Sequence, residues 1–161
     1  MSSPRDTLID WLRDAHASKE SRVQNLERQI EHYDDYPDLV SKLREHAQRS
    51  RTQAGELEQC LKQLGADTST IKEGASKLAS MVQNWTTAMS PDEVVKHCIA
   101  NESYAEFEAA SFASLAAAAE HCGEADIATL CTRWHEEERR LVDWLRTYVP
   151  TITRAYLARS A

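Results

Sequence analysis

The stretch that most constrains the fold is residues 91–121, PDEVVKHCIANESYAEFEAASFASLAAAAEH. Ser90 followed by Pro91 is a typical helix start, and Gly123 can end the helix in the left-handed cap conformation. No glycine or proline interrupts residues 92–121. The segment therefore predicts a single uninterrupted helix, about 45 Å long.

One face of this predicted helix follows the alternating three- and four-residue spacing of a helix that packs in a bundle. The positions on this face are Cys98, Glu102, Ala105, Ala109, Phe112, Ala116 and Ala119. Glu108 lies three residues after Ala105 and four before Phe112, so it leans onto the same face. The pattern therefore predicts a carboxylate inside the bundle, near the middle of the helix.

The whole chain of 161 residues suits one domain, and its four glycines and four prolines are few. Similar seams predict helices at about 4–33, 37–64, 70–88, 91–121 and 124–148, followed by a tail at 150–161 that adds a short C-terminal helix. The short breaks near residues 34–36 and 122–123 predict two antiparallel hairpins. A long helical crossover would join them, as in a ferritin-like four-helix bundle, so we predict one all-α domain over 1–161.

Charge and cysteine content narrow the function classes. The net charge of −7 argues against duplex nucleic acid or an anionic membrane surface as a partner. No apolar run is long enough for a membrane span, and the N-terminus lacks the apolar core of a secretory signal. The four cysteines are scattered without metal-site spacing, which predicts reduced thiols and a cytoplasmic protein.

Polar residues interrupt the apolar seam near the midpoint of each of the four long helices. They are Lys19 in the first helix, His46, Arg49, Ser50 and Gln53 in the second, Glu108 in the third, and Glu137 in the fourth. Because the midpoints of aligned helices meet at one level, we expect these side chains to form one buried layer. Isolated buried charges are costly, so the members must be paired or bound to metal.

The charge balance of this predicted layer favours pairing. Glu108 and Glu137 are matched by Lys19 and Arg49, and protonated lysine and arginine cannot ligate a metal. We therefore predict an internal ion-pair network without a cofactor. Two alternatives stay open: the long side chains reach out to solvent, or two iron or manganese ions bind to relocated ligands. The relocated ligand set would be Glu20, His46, Glu108, Glu137 and Glu138.

Several segments resemble the YciE/YciF-like proteins, a ferritin-like stress-response family also called DUF892. The resemblance extends over about residues 6–148, and its most specific segments are DWLRDAHA at 10–17 and EAASF at 108–112. REHAQ at 44–48 and EEER at 136–139 add to it. The resemblance implies a ferritin-like bundle, usually a homodimer, which in some members binds two iron or other metal ions.

The residues that the resemblance implies as metal ligands are only partly present. His46, Gln53, Glu108 and Glu137 fit the family pattern. At the positions of Lys19, Arg49 and Ala105 the family usually has glutamate. A slip of one residue would make Glu20 the expected acid, but the seam spacing places Lys19 inward. The resemblance thus implies a degenerate di-iron site.

These observations together predict a non-catalytic structural or interaction protein, related to stress responses by family resemblance. We expect a homodimer with no nucleic-acid or membrane partner. The alternative function is a di-iron or di-manganese oxidoreductase with the relocated ligands.

Overall fold

The computed structural model describes residues 2–68 and 93–159, and these residues form four α-helices. Helix α1 spans Pro4–His32 and α2 spans Pro37–Gln63. Helix α3 spans Glu93–His121 and α4 spans Ala125–Arg159. The prediction of an all-α helical bundle is confirmed. The predicted crossover helix at 70–88 lies outside the described residues.

Local sequence signals set most of the helix ends. Ser3 caps α1 by accepting a hydrogen bond from the backbone N–H of Asp6, whose carboxylate accepts one from Ser3 in return. Gly65 and Gly123 follow α2 and α3 with φ of 74° and 76°. This left-handed conformation suits glycine because it has no Cβ, and it lets the chain close the last helical turn.

The helices pack as two antiparallel hairpins, α1 with α2 and α3 with α4, as predicted. Helix α1 also contacts α3, and α2 contacts α4. At one end of the bundle, the Arg5 guanidinium lies 2.6 Å from the Glu124 carboxylate and 3.4 Å from the carbonyl oxygen of Leu64. At the opposite end, Arg159 lies 3.4 Å from the carboxylate of Asp35.

These contacts define the topology of the chain. Leu64, at the end of α2, lies beside the start of α1, whereas Val94, in the first turn of α3, packs in the apolar cluster that contains Tyr33 and Leu39. The chain therefore leaves α2 at one end of the bundle and enters α3 at the other. Helices α2 and α3 run parallel, so they are not consecutive partners in a hairpin.

The last helix differs from the prediction, which ended it at residue 148 and placed a short separate helix in the tail. Helix α4 continues through Pro150 to Arg159. Tertiary contacts explain this: Ile152 is 1% exposed within an apolar cluster, and Tyr156 packs against the same cluster. Burial of these side chains offsets the hydrogen bond that proline cannot donate.

Two apolar clusters fill the two ends of the bundle. One is built around Leu12, Leu61, Phe112 and Trp134, and the other around Leu26, Leu43 and Cys98. Between them lie a smaller apolar cluster of Ala105, Leu141, Val142 and Leu145 and most of the buried polar and charged side chains. None of the described helices is both long and apolar enough to cross a membrane.

Candidate functional site in the bundle core

Lys19 joins two buried carboxylates at the centre of the bundle. Its ammonium nitrogen lies 2.8 Å from Oε1 of Glu138 and 3.0 Å from Oε1 of Glu108. The three side chains are 1%, 1% and 4% exposed. Lys19 comes from α1, Glu108 from α3 and Glu138 from α4, so this contact ties the two hairpins together.

A second cation lies one helical turn further along α1. Arg22 is 2% exposed, and its Nε donates to Nε2 of His46 at 3.3 Å. Its Nη1 donates to the side-chain oxygen of Asn101 at 2.9 Å, and its guanidinium lies 4.6 Å from the centre of the Tyr104 ring. We call Lys19, Arg22, His46, Glu108 and Glu138 the central layer.

Burial and neighbouring charges shift the pKa values in the central layer. Burial raises the pKa of Glu108 to about 7, with Lys19 acting to lower it and Glu138 to raise it. Burial, and then the positive charges of Arg22 and Lys19, lower the pKa of His46 well below its ordinary value. His46 is therefore neutral at pH 7. Since its Nε2 accepts from Arg22, the ring carries its proton on Nδ1.

A buried chain of amide side chains continues from Arg22 toward the end of the bundle where α1 stops. The Asn101 amide nitrogen donates to the Gln29 carbonyl oxygen at 2.8 Å, and Gln29 donates to Asn25 at 2.6 Å. Nearer that end, the Tyr33 hydroxyl hydrogen-bonds with Nδ1 of His97. These interactions satisfy polar groups that would otherwise be costly to bury.

Three of the residues predicted for the polar layer, Lys19, His46 and Glu108, lie in the central layer. Gln53 is also buried, at 1% exposure, but its amide nitrogen donates to Glu137 at 2.8 Å, near the surface of the bundle. Ser50 is fully buried beside this position on α2, and its hydroxyl has no hydrogen-bond partner in the described part of the chain.

Arg49 and Glu137 differ from the prediction. The Arg49 side chain is 26% exposed and pairs with Glu45 at 2.7 Å, because its position at the margin of the apolar face lets the guanidinium reach solvent. Glu137 is only half-buried and lies 3.8 Å from Arg133. The inward acid of α4 is its neighbour Glu138.

Spacing along α4 explains why Glu138 faces inward. Both Glu137 and Glu138 fit between Trp134 and Leu141, since the steps of three and four can come in either order. However, Glu138 also lies seven residues from the buried Cys131 and Leu145. This second apolar row was the signal that sequence reasoning missed.

The other unpredicted member of the central layer is Arg22. It occupies a seam position three residues after Lys19 and four before the buried Leu26, and this spacing could have identified it. With Arg22 and Glu138 in place of Arg49 and Glu137, the layer holds two cations and two acidic groups. The predicted charge balance therefore applies to a partly different set of residues.

Metal binding can be tested against the donor atoms in the core. One ligand atom each of His46, Glu108 and Glu138 lies within 4.8 Å of the others. However, the ammonium of Lys19 already contacts both carboxylates, and Arg22 donates to the imidazole. A divalent cation beside these two cations would meet strong repulsion. The residues present do not fit a metal ion.

Of the relocated ligand set, His46, Glu108 and Glu138 come together, whereas Glu20 and Glu137 lie outside this group. Glu20 is 63% exposed and lies 3.9 Å from His16 on the surface of α1. His135 and Glu138 have the i, i+3 spacing that is typical of metal sites in bundles, but the structure places the two side chains apart. Nδ1 of His135 lies 2.7 Å from the carbonyl oxygen of Ala109, while Glu138 is fully buried in the central layer.

Comparison with known proteins identifies one family model. Residues 3–158 match the model described as "Domain of unknown function (DUF892)". The match extends over nearly the whole chain and includes all four described helices.

Three solved structures share the fold. A protein from Xanthomonas campestris is 26% identical, with a TM-score of 0.84 over 98% of this chain and 99% of that chain. YcfI from Rhodopseudomonas palustris, provisionally described as a structural protein, is 23% identical, with a TM-score of 0.78 over 91% and 95%. The Escherichia coli stress protein YciF is 17% identical, with a TM-score of 0.82 over 96% and 99%.

Proposed function

Because this chain belongs to the DUF892 family, we propose that it is a non-catalytic, ferritin-like structural or interaction protein in which internal ion pairs replace a di-metal layer. The family resemblance predicted from the sequence is confirmed by the match over residues 3–158. The description of the family specifies no activity, so the proposal depends on the core of this chain.

The observation that carries the proposal is the position of Lys19. Di-metal bundles hold their ions with inward carboxylates and Glu-x-x-His pairs. Here an ammonium group contacts Glu108 at 3.0 Å and Glu138 at 2.8 Å. Together with Arg22, this point charge balances the two acids without an exogenous ion. The layer therefore serves to hold two hairpins in register.

The test compares metal content and metal-dependent stability. Wild-type protein purified without chelators should contain no stoichiometric iron or manganese by elemental analysis. Its melting temperature should not change when Mn²⁺ is added. Bound metal near stoichiometry, or a marked rise in wild-type melting temperature with Mn²⁺, would overturn the proposal and favour the oxidoreductase alternative through His46, Glu108 and Glu138.

A matched pair of variants tests whether Lys19 is what prevents metal binding. Lys19→Glu places a third carboxylate beside Glu108 and Glu138, whereas Lys19→Met removes the charge without adding a ligand. We expect Mn²⁺ to stabilise Lys19→Glu far more than Lys19→Met, since a ligand at 100 times its Kd stabilises the folded state by about 2.7 kcal/mol. Equal responses of the two variants would contradict this role of Lys19.

The proposal extends to the cellular setting of the protein. A cytoplasmic location is supported by the four cysteines, all of which are free thiols. Burial raises the pKa of Cys131 to about 12 and that of Cys60 to about 11, so these thiols are unreactive structural groups. A role in a stress response is supported by the family resemblance, and homodimer formation by the exposed Ala110, Ala113 and Ala117 on the outer face of α3.

A further inference from the structure

A cavity between α1 and α3 leads from the surface toward the central layer. Its volume is about 210 Å³. Trp11 and Phe107 line it and are 44% and 42% exposed, which places them at its mouth. The buried side chains of Glu108, Phe112 and Leu115 form its floor. Its remaining lining residues are Asp14, Ala15, Ser18, Ser111 and Ser114.

The floor of the cavity contains an unused hydrogen-bond acceptor. The Glu108 side chain is 4% exposed, and Lys19 contacts its Oε1 at 3.0 Å, whereas its Oε2 has no hydrogen-bond partner in the described part of the chain. A buried carboxylate can accept several hydrogen bonds, and leaving this capacity unmet is costly. A donor that entered the cavity would meet this carboxylate.

The other polar groups of the lining favour a positively charged donor. Asp14 supplies a second carboxyl group, and no lysine or arginine is among the lining residues. Two of the hydroxyl groups already have partners: Ser18 hydrogen-bonds with Tyr104, and Ser111 donates to the carbonyl oxygen of Phe107 at 2.8 Å. Lys19 and Arg22 balance Glu108 and Glu138 in the central layer, so Asp14 adds a negative charge at the cavity that a monovalent cation can balance.

We propose that this cavity is a binding site for a small organic cation that carries one aromatic ring and a primary ammonium group. The ring lies between Trp11 and Phe107 at the mouth, where exposed aromatic side chains provide apolar contact and attract cations. The ammonium group donates to Glu108 at the floor. The function proposed above does not depend on this site, and the site does not require a metal ion.

The cavity volume limits the size of the ligand. A cavity of about 150 Å³ accepts a benzene ring, so about 210 Å³ accommodates one ring with a short amine-bearing chain. A two-ring ligand would extend beyond the mouth. With about nine non-hydrogen atoms, such a ligand is expected to bind with a Kd of about 1 mM.

The test measures binding of three compounds of similar shape to the full-length protein by ligand-observed NMR. Phenethylamine carries the cation, ethylbenzene is neutral, and 3-phenylpropanoate is an anion. We expect phenethylamine to bind at least tenfold more tightly than 3-phenylpropanoate, with ethylbenzene between them. The Glu108→Gln variant should lose most of the preference for the amine over ethylbenzene.

Two matched serine variants localise the binding. Ser111 lines the cavity, whereas Ser103 is exposed two turns earlier on α3. Both hydroxyls donate to the carbonyl oxygen four residues before, at 2.8 and 3.1 Å. Replacement by leucine removes the same type of hydrogen bond at each position, but only Ser111→Leu fills the cavity. Ser111→Leu should weaken phenethylamine binding more than tenfold, and Ser103→Leu should leave it within twofold.

Three results would overturn the proposal. One is the absence of saturable phenethylamine binding to wild-type protein. Another is equal binding of phenethylamine and 3-phenylpropanoate, which would show that the carboxyl groups do not select the ligand. The third is unchanged binding to Ser111→Leu, which would place the amine elsewhere on the protein.

Discussion

At the scale of single residues, the decisive feature is one ammonium group held by two acids. Lys19 has three N–H donors; it contacts Glu108 and Glu138, and its nitrogen lies 5.1 Å from the centre of the Phe112 ring. Burying these charges costs desolvation energy, which their mutual attraction must offset. The three groups therefore depend on one another, and loss of one leaves the others buried without compensation.

Substitution of Lys19 alone should be more harmful than substitution of Lys19 together with one of its acids. Among the described residues, Lys19→Met leaves the two carboxylates with Arg22 as their one nearby buried cation, and we expect a loss of roughly 3–5 kcal/mol in the free energy of unfolding at pH 7. In Lys19→Met/Glu108→Leu, Arg22 and Glu138 still balance, so the loss should be much smaller. Urea denaturation measures both. A double variant as unstable as the single variant would contradict the ion-pair interpretation.

The raised pKa of Glu108 predicts how stability depends on pH. Because burial raises the pKa from 4.5 to about 7, the folded state binds the proton more tightly than the unfolded chain. The contribution of Glu108 to the free energy of unfolding is therefore greatest below pH 4.5 and decreases as the pH rises toward 7. At 1.36 kcal/mol per pKa unit, this contribution to the free energy of unfolding amounts to about 3 kcal/mol.

Comparison of the wild-type protein with Glu108→Gln isolates the effect of Glu108 titration on stability, since glutamine does not titrate and the other titratable groups remain. We expect the wild-type free energy of unfolding to fall relative to that of the variant between pH 4.5 and 7. His46 changes stability in the opposite direction, because its lowered pKa disfavours the folded state as the pH falls below 6.5, but it is present in both proteins. Parallel pH curves would rule out titration of Glu108 in this range.

At the scale of secondary-structure elements, α4 shows tertiary packing overriding a local stop signal. Pro150 is exposed within the helix and cannot donate to the carbonyl oxygen of Arg146. The following turns are held by buried Ile152, and Arg159 pairs with Asp35 beyond the end of α1. The terminal turns therefore belong to the bundle core and close its end.

Replacement of Pro150 should stabilise the protein. Pro150→Ala restores a helical hydrogen bond and removes a clash worth about 3 kcal/mol, less about 0.4–1 kcal/mol for the greater freedom of the unfolded chain. We expect a gain of roughly 2 kcal/mol in urea denaturation. Thr151→Ala, at the exposed neighbouring position, is the control and should change stability by less than about 0.5 kcal/mol. Destabilisation by Pro150→Ala would show that the packing of the last turns requires proline.

At the scale of the whole molecule, the outer face of the second half of α3 is unusually apolar for a solvent-exposed helix. Ala110, Ala113 and Ala117 are exposed on one side, whereas the exposed Ser103 and Glu106 separate them from Ile99 on the first half. A surface helix normally presents polar residues to solvent, whereas one that is apolar all round is covered. Small side chains also allow another helix to approach closely.

This face supports the prediction of a homodimer. Ala113→Arg places a charge in the middle of the apolar face without touching the core, and it should shift the protein from dimer to monomer at tens of micromolar. The control is Ala155→Arg, at an exposed position near the end of α4. Analytical ultracentrifugation measures both. A monomeric wild-type protein, or a dimer unaffected by Ala113→Arg, would contradict this surface as the interface.

Much of the architecture follows from the sequence by itself. Ser3 with Asp6, Pro37, Gly65 and Gly123 act within a few residues of a helix end, so their effect on helix boundaries is local. The three- and four-residue spacing of the apolar seam identifies the buried faces. The positions of Lys19, His46 and Glu108 near the midpoints of their helices placed them at one level of the bundle, and the resemblance of segments such as DWLRDAHA indicated the family.

Only the tertiary structure decided which polar groups complete the core. Adjacent residues on a helix differ by about 100° around its axis, and both Glu137 and Glu138 satisfied the local spacing. Because Cys131 and Leu145 are buried on the same face of α4 as Glu138, Glu138 points inward and contacts Lys19. The Arg49 side chain is partly exposed to solvent, whereas Arg22 is buried and donates hydrogen bonds to His46 and Asn101. Which charged side chains are buried depends on partners that are distant in sequence, because a buried charge is tolerated only where another helix supplies a group that pairs with it.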